Sequence, residues 1–365
     1  MIWLMILLLC LTTACSPAKE VPKDEIVVGV FEPLNGIYGE SGRETLRGVT
    51  LANERRPRAL GKKVVLSVYN TKSQTFESAN AVAILTDKGA NGLIGTFGTD
   101  SMNQAKPAIA AAEVPALTGS TSPDLAKNYW ITQISVDDVE QAKAMAQYAV
   151  ADLGLRDIAL VIDAEMRYGA HLAYTFEHMV PTDVNIYKVY YHSGETRFRN
   201  EIDRLKKLPI DGIYCPGDAA TSAYLLSALK KEMPDVAVMG ADRWENPSFY
   251  EIAKDAAEGA YFTAHYARYD TFNAASETFH KAYEKKYGES PTSYAAIGYD
   301  AYNLFLDAAE SAGSDAPEAV AKELRHLERF DGALGIADRR GPRRVPILKQ
   351  YGRRGRYVET VEVPR

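Results

Sequence analysis

The chain has 365 residues, 46% of them hydrophobic, and carries 42 lysines and arginines against 48 aspartates and glutamates, a net charge of -6. A chain of this size buries a large core without covalent staples. Its acidic balance argues against nucleic acid as the main partner, and the locally basic "RRGPRRVPILKQYGRRGR" near the C-terminus reads as a solvated surface or a protein contact. The opening "MIWLMILLLCLTTA" fits a secretory apolar segment and is shorter than the roughly 20 residues that span a bilayer, which predicts a signal peptide over residues 1–14. A polar tether, residues 15–24, follows. From there short apolar runs alternate with amphipathic helical stretches: "IVVGVF" (strand), "ETLRGVTLANERR" (helix), "KKVVLSVYN" (strand), "TFESANAVAILTDK" (helix), "NGLIGTF" (strand), "SMNQAKPAIAAAE" (helix) and "VPALTGS" (strand). A second series runs from the helix "ISVDDVEQAKAMAQYAVADLG", acidic in its first turn, through "DIALVIDA", "GAHLAYTFEHM", "VNIYKVYYH", "FRNEIDRLKKL", "IDGIYCPG", "TSAYLLSALKKEM" and "DVAVMGAD" to "EGAYFTAHY". Three helical segments, "NAASETFHKAYEKKYG", "TSYAAIGYDAYNLFLDAAESAG" and "PEAVAKELRHL", precede two strand-like terminal stretches.

Alternation of this kind predicts an α/β fold with parallel sheets. Two such series predict two doubly wound, Rossmann-like lobes, because a single core rarely grows past about 250 to 300 residues. The series echo each other. "GLIGTFGTDSMNQA" and "DGIYCPGDAATSAYLL" each run strand, glycine-containing turn, polar residue, helix, which puts Thr99 and Asp218 at comparable strand ends. "PALTGSTSPDL" and "AVMGADRWENPSF" each end in helix-start chemistry, with Ser122 or Asn246 as N-cap and Pro123 or Pro247 at the first helical position. Ligands of open α/β sheets bind at the carboxyl ends of strands, so two facing sets of ends predict a cleft. The chain ends in strands after helices that must pack somewhere, which suggests a return to the first lobe.

No nucleotide, zinc-protease or hydrolase motif is present, and nothing in the sequence assembles a catalytic set. No cofactor or metal is expected. His171 and His178 share a helix face without a third ligand, and Cys215 after "IDGIY" reads as a buried small hydrophobe rather than a nucleophile. Cys10, Cys15 and Cys215 offer no internal disulfide pair.

Around Cys15, "LTTACSPAKE" resembles the lipobox of bacterial lipoproteins, which implies a lipid on Cys15 and a membrane-anchored protein; a plain cleaved signal peptide is the alternative. Downstream, "IVVGVFEPLNGIYGESGRETLRGVTLANE", "NGLIGTFGTDS", "VPALTGSTSPDL", "IALVIDAEMRYG", "VMGADRW", "AAEGAYFTAHY" and "YEKKYGESPTSYAAIGYDAYNLFLDA" together resemble periplasmic solute-binding proteins of the branched-chain amino-acid type. The resemblance implies a type I periplasmic binding protein fold: lobe 1 from residues 25–134 and 266–344, lobe 2 from 135–265 and 345–365, and a three-strand hinge between them. It further implies a monomeric, extracytoplasmic, non-catalytic protein that closes over an amino acid or related small polar solute and delivers it to an ABC permease and its ATPase. A ligand-sensing regulator of the same fold, acting on a separate partner, is the alternative function.

Carried over residue by residue, the resemblance makes Thr99 a ligand-carboxylate partner. Ser120 and Thr121 belong to the turn that holds carboxylate and ammonium, and Asp242 becomes the acid that pairs with the ammonium. Tyr38 and Tyr168 are cleft tyrosines; Trp244, His265 and Tyr266 are further candidates. Each has a plainer reading, as turn, cap, surface or packing residue. The sequence departs from the family at Asp218, where an aromatic residue is usual, and at Arg243, a position often held by glycine. Either the ligand is polar or cationic and meets Asp218, or Asp218 and Arg243 neutralise each other at the rim.

Overall fold

The computed structural model describes residues 24–267, 273–339, 341–342, 346–352 and 357–361. The signal peptide, Cys15, residues 15–23 of the tether and much of the basic C-terminal run lie outside the described residues.

The first half comprises β1 (Glu25–Glu32), α1 (Gly39–Arg55), β2 (Arg58–Ala59), β3 (Lys62–Asn70), α2 (Glu77–Asp87), β4 (Gly92–Gly95), α3 (Thr99–Ala112), β5 (Ala116–Thr118) and β6 (Ile131–Gln133). The second comprises α4 (Asp138–Ala151), β7 (Asp157–Asp163), α5 (Arg167–Met179), β8 (Asn185–Tyr191), α6 (Arg199–Leu205), β9 (Gly212–Tyr214), α7 (Ala219–Glu232), β10 (Ala237–Gly240), α8 (Pro247–Ala253) and β11 (Tyr261–Ala264). Then come α9 (Ala274–Tyr287), α10 (Ser293–Ala312), α11 (Pro317–His326), β12 (Phe330–Gly332), β13 (Gly335–Asp338), β14 (Gly341–Pro342), β15 (Ile347–Tyr351) and β16 (Tyr357–Val361).

Two sheets result. The first has the order β2-β3-β1-β4-β5-β6 and the second β16-β15-β11-β10-β9-β7-β8. Pairing is parallel except at β2 in the first sheet and at β15 and β16 in the second. The near-continuous apolar runs of β1 and β7 fit this arrangement, since parallel strands are covered on both faces. In each sheet the chain reverses its direction of travel beside the first strand laid down, at β1/β4 and at β7/β9. Both lie where α/β sheets open a crevice.

The chain passes between the sheets three times: between β6 and α4, between β11 and α9, and between β14 and β15. Helices α9 to α11 pack on the first sheet, with Phe279, Tyr283, Tyr302, Phe305, Val320 and Leu324 sharing one core with Ile26, Val28 and Val30 of β1. Helices α1 and α10 meet at glycines: a Cβ on Gly298 would lie 2.1 Å from the Thr45 carbonyl oxygen, and one on Gly48 1.9 Å from that of Ala295.

Several sequence expectations are corrected here. Helix α1 begins at Gly39, five residues before the apolar periodicity does, because Gly42 lets the chain fold back onto Pro33, whose oxygen a Cβ would meet at 2.0 Å. Helix α4 begins at Asp138, capped by Asp137, whose carboxylate accepts from the Glu140 N–H; Ile134 to Val136 form the crossing instead. Asn246 and Pro247 do start a helix, with Asn246 accepting from the Ser248 N–H, but Ser122 and Pro123 do not. They enter a turn that leads only to a short 3-10 segment, Leu125–Lys127. The short strands β2, β6 and β12 to β14 were not expected.

Candidate functional site

Between the two sheets lies a cavity of about 380 Å³, its mouth included. Glu32 ends β1; Thr96, Phe97, Gly98 and Thr99 follow β4; Gly119, Ser120 and Thr121 follow β5. Facing them are Tyr168 at the start of α5 and Asp242 and Arg243 after β10, while Thr45 of α1 and Tyr294 and Ile297 of α10 close one side. The strand-end logic thus brings Thr99, Ser120, Thr121, Tyr168 and Asp242 to one cavity.

On the first half, the turn after β5 is fixed by its backbone. The Ser120 N–H donates to Thr118 Oγ1 at 3.0 Å, Gln133 Nε2 donates to the Ser120 carbonyl at 2.8 Å, and the Asp138 N–H donates to that of Thr121 at 2.9 Å. The Thr121 hydroxyl faces the Asp138 carboxyl. Three hydroxyls remain: Thr96 Oγ1, Thr99 Oγ1 and Ser120 Oγ are buried (1%, 6% and 3% exposed) and have no hydrogen-bond partner among the described residues. Thr99 opens α3, whose N-cap is Gly98, so no side chain caps its first N–H groups. Buried hydroxyls and uncapped helix N–H groups together favour an anionic acceptor.

On the second half, Tyr168 donates its hydroxyl to Asp242 Oδ1 at 2.5 Å, and His265 Nε2 lies 3.4 Å from Oδ2. Burial opposes the charged carboxylate, yet His265, Tyr168 and Arg243 together hold the Asp242 carboxyl below its usual range. Burial and the Asp242 charge raise the Tyr168 phenol well above its ordinary value, which keeps it a donor. Tyr294 Oη donates to the Asp242 carbonyl at 3.2 Å, joining α10 to the second half. Asn246 Nδ2 donates to Ser41 Oγ across the same junction at 3.1 Å.

The remaining candidates are placed differently. Tyr38 is half-buried behind Arg243, its ring centroid 5.2 Å from that of Phe97 and 5.5 Å from the guanidinium. Asp218 is the N-cap residue of α7; burial raises its carboxyl while Arg243 and the first N–H groups of that helix pull it down, and it does not line the cavity. Trp244 is packed in the core, stacked on Phe249 with centroids 4.5 Å apart, and Tyr266 packs edge-on against Phe279 in the first half. Cys215 is buried, and burial pushes its thiol up to about 11.

Sequence reasoning passed over Glu32, Phe97, Asp138 and Tyr294. Glu32 accepts from the Phe97 N–H at 2.8 Å, and burial pushes its carboxyl to about 8. An acid closing a buried apolar strand was a legible signal. Tyr294 had none, since it reaches the cavity only through the return of α10.

Known proteins share the fold. A family model described as Periplasmic binding protein matches residues 25–351. A Leu/Ile/Val-binding protein of Rhizobium johnstonii is 24% identical over 328 residues, 85% of this chain and 86% of that one. The crystal structure of a leucine-binding protein, LivK, from Thermotoga maritima superposes with a TM-score of 0.85 at 28% identity, covering 90% of this chain and 95% of that one. LivJ of Streptococcus pneumoniae, solved in complex with isoleucine, superposes with a TM-score of 0.83 at 21% identity, covering 91% and 97%. Members of the family are extracytoplasmic solute-binding proteins and not enzymes. This chain belongs to the periplasmic binding protein family.

Proposed function

We propose that the protein captures an amino acid or a closely related solute in the cavity between its halves and delivers it to an ABC importer, a permease with its ATPase. The observation that carries this reading is a pairing of opposite polarities across one cavity. A buried carboxylate, Asp242, is held in its charged form on one wall. Three buried, unpartnered hydroxyls, Thr96, Thr99 and Ser120, stand beside an uncapped helix start on the other. That arrangement suits a zwitterion: the ammonium pairs with Asp242, and the carboxylate takes the hydroxyls and N–H groups. Charge-assisted hydrogen bonds contribute about 1.5 to 3 kcal/mol each, and micromolar affinity needs about 8 kcal/mol, so both walls are required.

The two lobes of this reading are residues 25–134 with 266–344 and residues 135–265 with 345–365. They close on the ligand about the three crossings, and the closed form is what the permease reads. The protein acts as a monomer, tethered to the outer side of a membrane by a lipid on Cys15. A thermal-shift screen against amino acids, amides, urea, short peptides and aromatic acids tests the ligand class. At least one L-amino acid is expected to stabilise the chain; stabilisation only by a compound without an α-ammonium removes the role given to Asp242. Mass spectrometry of the mature N-terminus checks the tether, an unmodified soluble chain being the contrary result.

A further inference from the structure

Arg243 is surplus to a zwitterion site. The α-carboxylate and the ammonium are already matched by the Thr99/Ser120 wall and by Asp242. A second charged group nonetheless lines the cavity, and the residue is 5% exposed. The guanidinium sits 4.0 Å from the Tyr168 ring centroid, 5.2 Å from that of Phe97 and 5.5 Å from that of Tyr38. Its polar contacts are the Met166 sulfur, 3.4 Å from Nη1, and the Tyr38 hydroxyl. Among the described residues no carboxylate forms an ion pair with it.

The two nearest acids, Asp242 and Asp218, feel the Arg243 charge but hydrogen-bond to other groups. Asp242 accepts from Tyr168 and faces His265, and Asp218 faces the first N–H groups of α7. Aromatic faces hold a cation by its flat sides but leave the N–H groups at its edge unsatisfied. A Cβ on Gly98 would lie 3.5 Å from Nη2, so the guanidinium reaches the residue before α3 and lines the cavity together with Thr99. A buried guanidinium with no carboxylate at hydrogen-bond distance carries a desolvation cost that an anion in contact with it relieves. Its planar fork matches a carboxylate with two parallel hydrogen bonds.

We propose that Arg243, caged by Tyr38, Phe97 and Tyr168, selects a ligand whose side chain carries a carboxylate, so that the solute is an acidic amino acid rather than a branched-chain one. The inference rests on the amino-acid reading above and narrows it. Asp242 takes the ammonium, the Thr99/Ser120 wall takes the α-carboxylate, and Arg243 takes the side-chain carboxylate. The cation occupies space that an apolar side chain would otherwise fill.

Calorimetric titration of the full chain with L-glutamate, L-aspartate, their amides L-glutamine and L-asparagine, and L-leucine tests the proposal. Acid and amide share one shape, so their difference reports charge alone. An acidic amino acid is expected to bind about ten- to a hundredfold more tightly than its amide and than leucine. Arg243→Met is expected to abolish the acid-over-amide preference, and Arg243→Lys to restore part of it. The wild-type comparison stands even where a variant fails to fold. Equal or tighter binding of the amides or of leucine overturns the assignment while leaving amino-acid capture intact, as does an acid preference that survives in a folded Arg243→Met. Failure of every amino acid to bind overturns the broader reading together with this one.

Discussion

At the scale of single residues, the cavity holds groups whose state is set by burial. Glu32 has a folded pKa of about 8 against an ordinary 4.5. Below pH 4.5 the carboxyl is protonated folded or unfolded and contributes no pH dependence. Between about 4.5 and 8 the unfolded chain releases the proton while the folded chain keeps it, so stability falls as pH rises. Glu32→Gln retains an acceptor for the Phe97 N–H and cannot ionise. Urea melts at pH 5 and pH 8 are expected to show the variant losing on the order of 4 kcal/mol less than the wild type over that interval; equal losses would place the Glu32 charge in solvent. Thr99→Val removes an unpartnered hydroxyl while keeping its shape. Folded stability is expected to hold or rise, and ligand affinity to fall about tenfold, as calorimetry would show; unchanged affinity would leave Thr99 as a helix-start residue only. Thr99 stood out in the sequence because it follows an apolar strand at a helix start, whereas Ser120, Tyr168 and Asp242 were named by the resemblance to known binding proteins. Trp244, a further candidate four residues past β10, is core, since an aromatic residue there reads alike whether it faces the cleft or Phe249.

At the scale of elements, α10 does two jobs with one surface. Its glycine face lets it lie against α1, and its first turns carry Tyr294 and Ile297 to the cavity. Gly298→Ala places a methyl where the Thr45 carbonyl stands. It is expected to cost about 1 to 3 kcal/mol in urea denaturation and to weaken ligand binding by shifting the helix; a variant with wild-type stability would mean that the two helices separate easily. Helices and long strands were legible because their periods extend over many residues. The short strands β2, β6 and β12 to β14 were not, because two to four residues display no alternation. The start of α1 was hidden by glycines whose poor helix propensity is overridden by packing against Pro33. Ser122 and Pro123 misled for the opposite reason: the local chemistry of a helix start is present, but the turn is committed by its hydrogen bonds to Gln133 and Asp138.

At the scale of the whole molecule, the two sheets and the sites at their carboxyl edges follow from composition and alternation. The return of α9 to α11 to the first sheet does not; it was suggested only by a chain ending in strands and by the resemblance to known binding proteins. Among the described residues the halves are joined by Asn246 to Ser41, Tyr294 to the Asp242 carbonyl, the His265 N–H to Ser293 Oγ and, at a crossing, the Asp138 N–H to the Thr121 carbonyl. A junction of that kind is expected to open without ligand, so small-angle scattering should show the radius of gyration fall when a bound amino acid closes it; an unchanged radius would argue for a fixed cavity. The central claim, recognition of a zwitterion across the two halves, is tested most directly by calorimetric titration of wild type and Asp242→Ala with L-glutamate and with glutarate, which lacks the ammonium. The wild type should bind L-glutamate at least about tenfold more tightly than glutarate, and Asp242→Ala should lose that preference. Equal binding of the two compounds to the wild type, or a preference that survives in the variant, would contradict it.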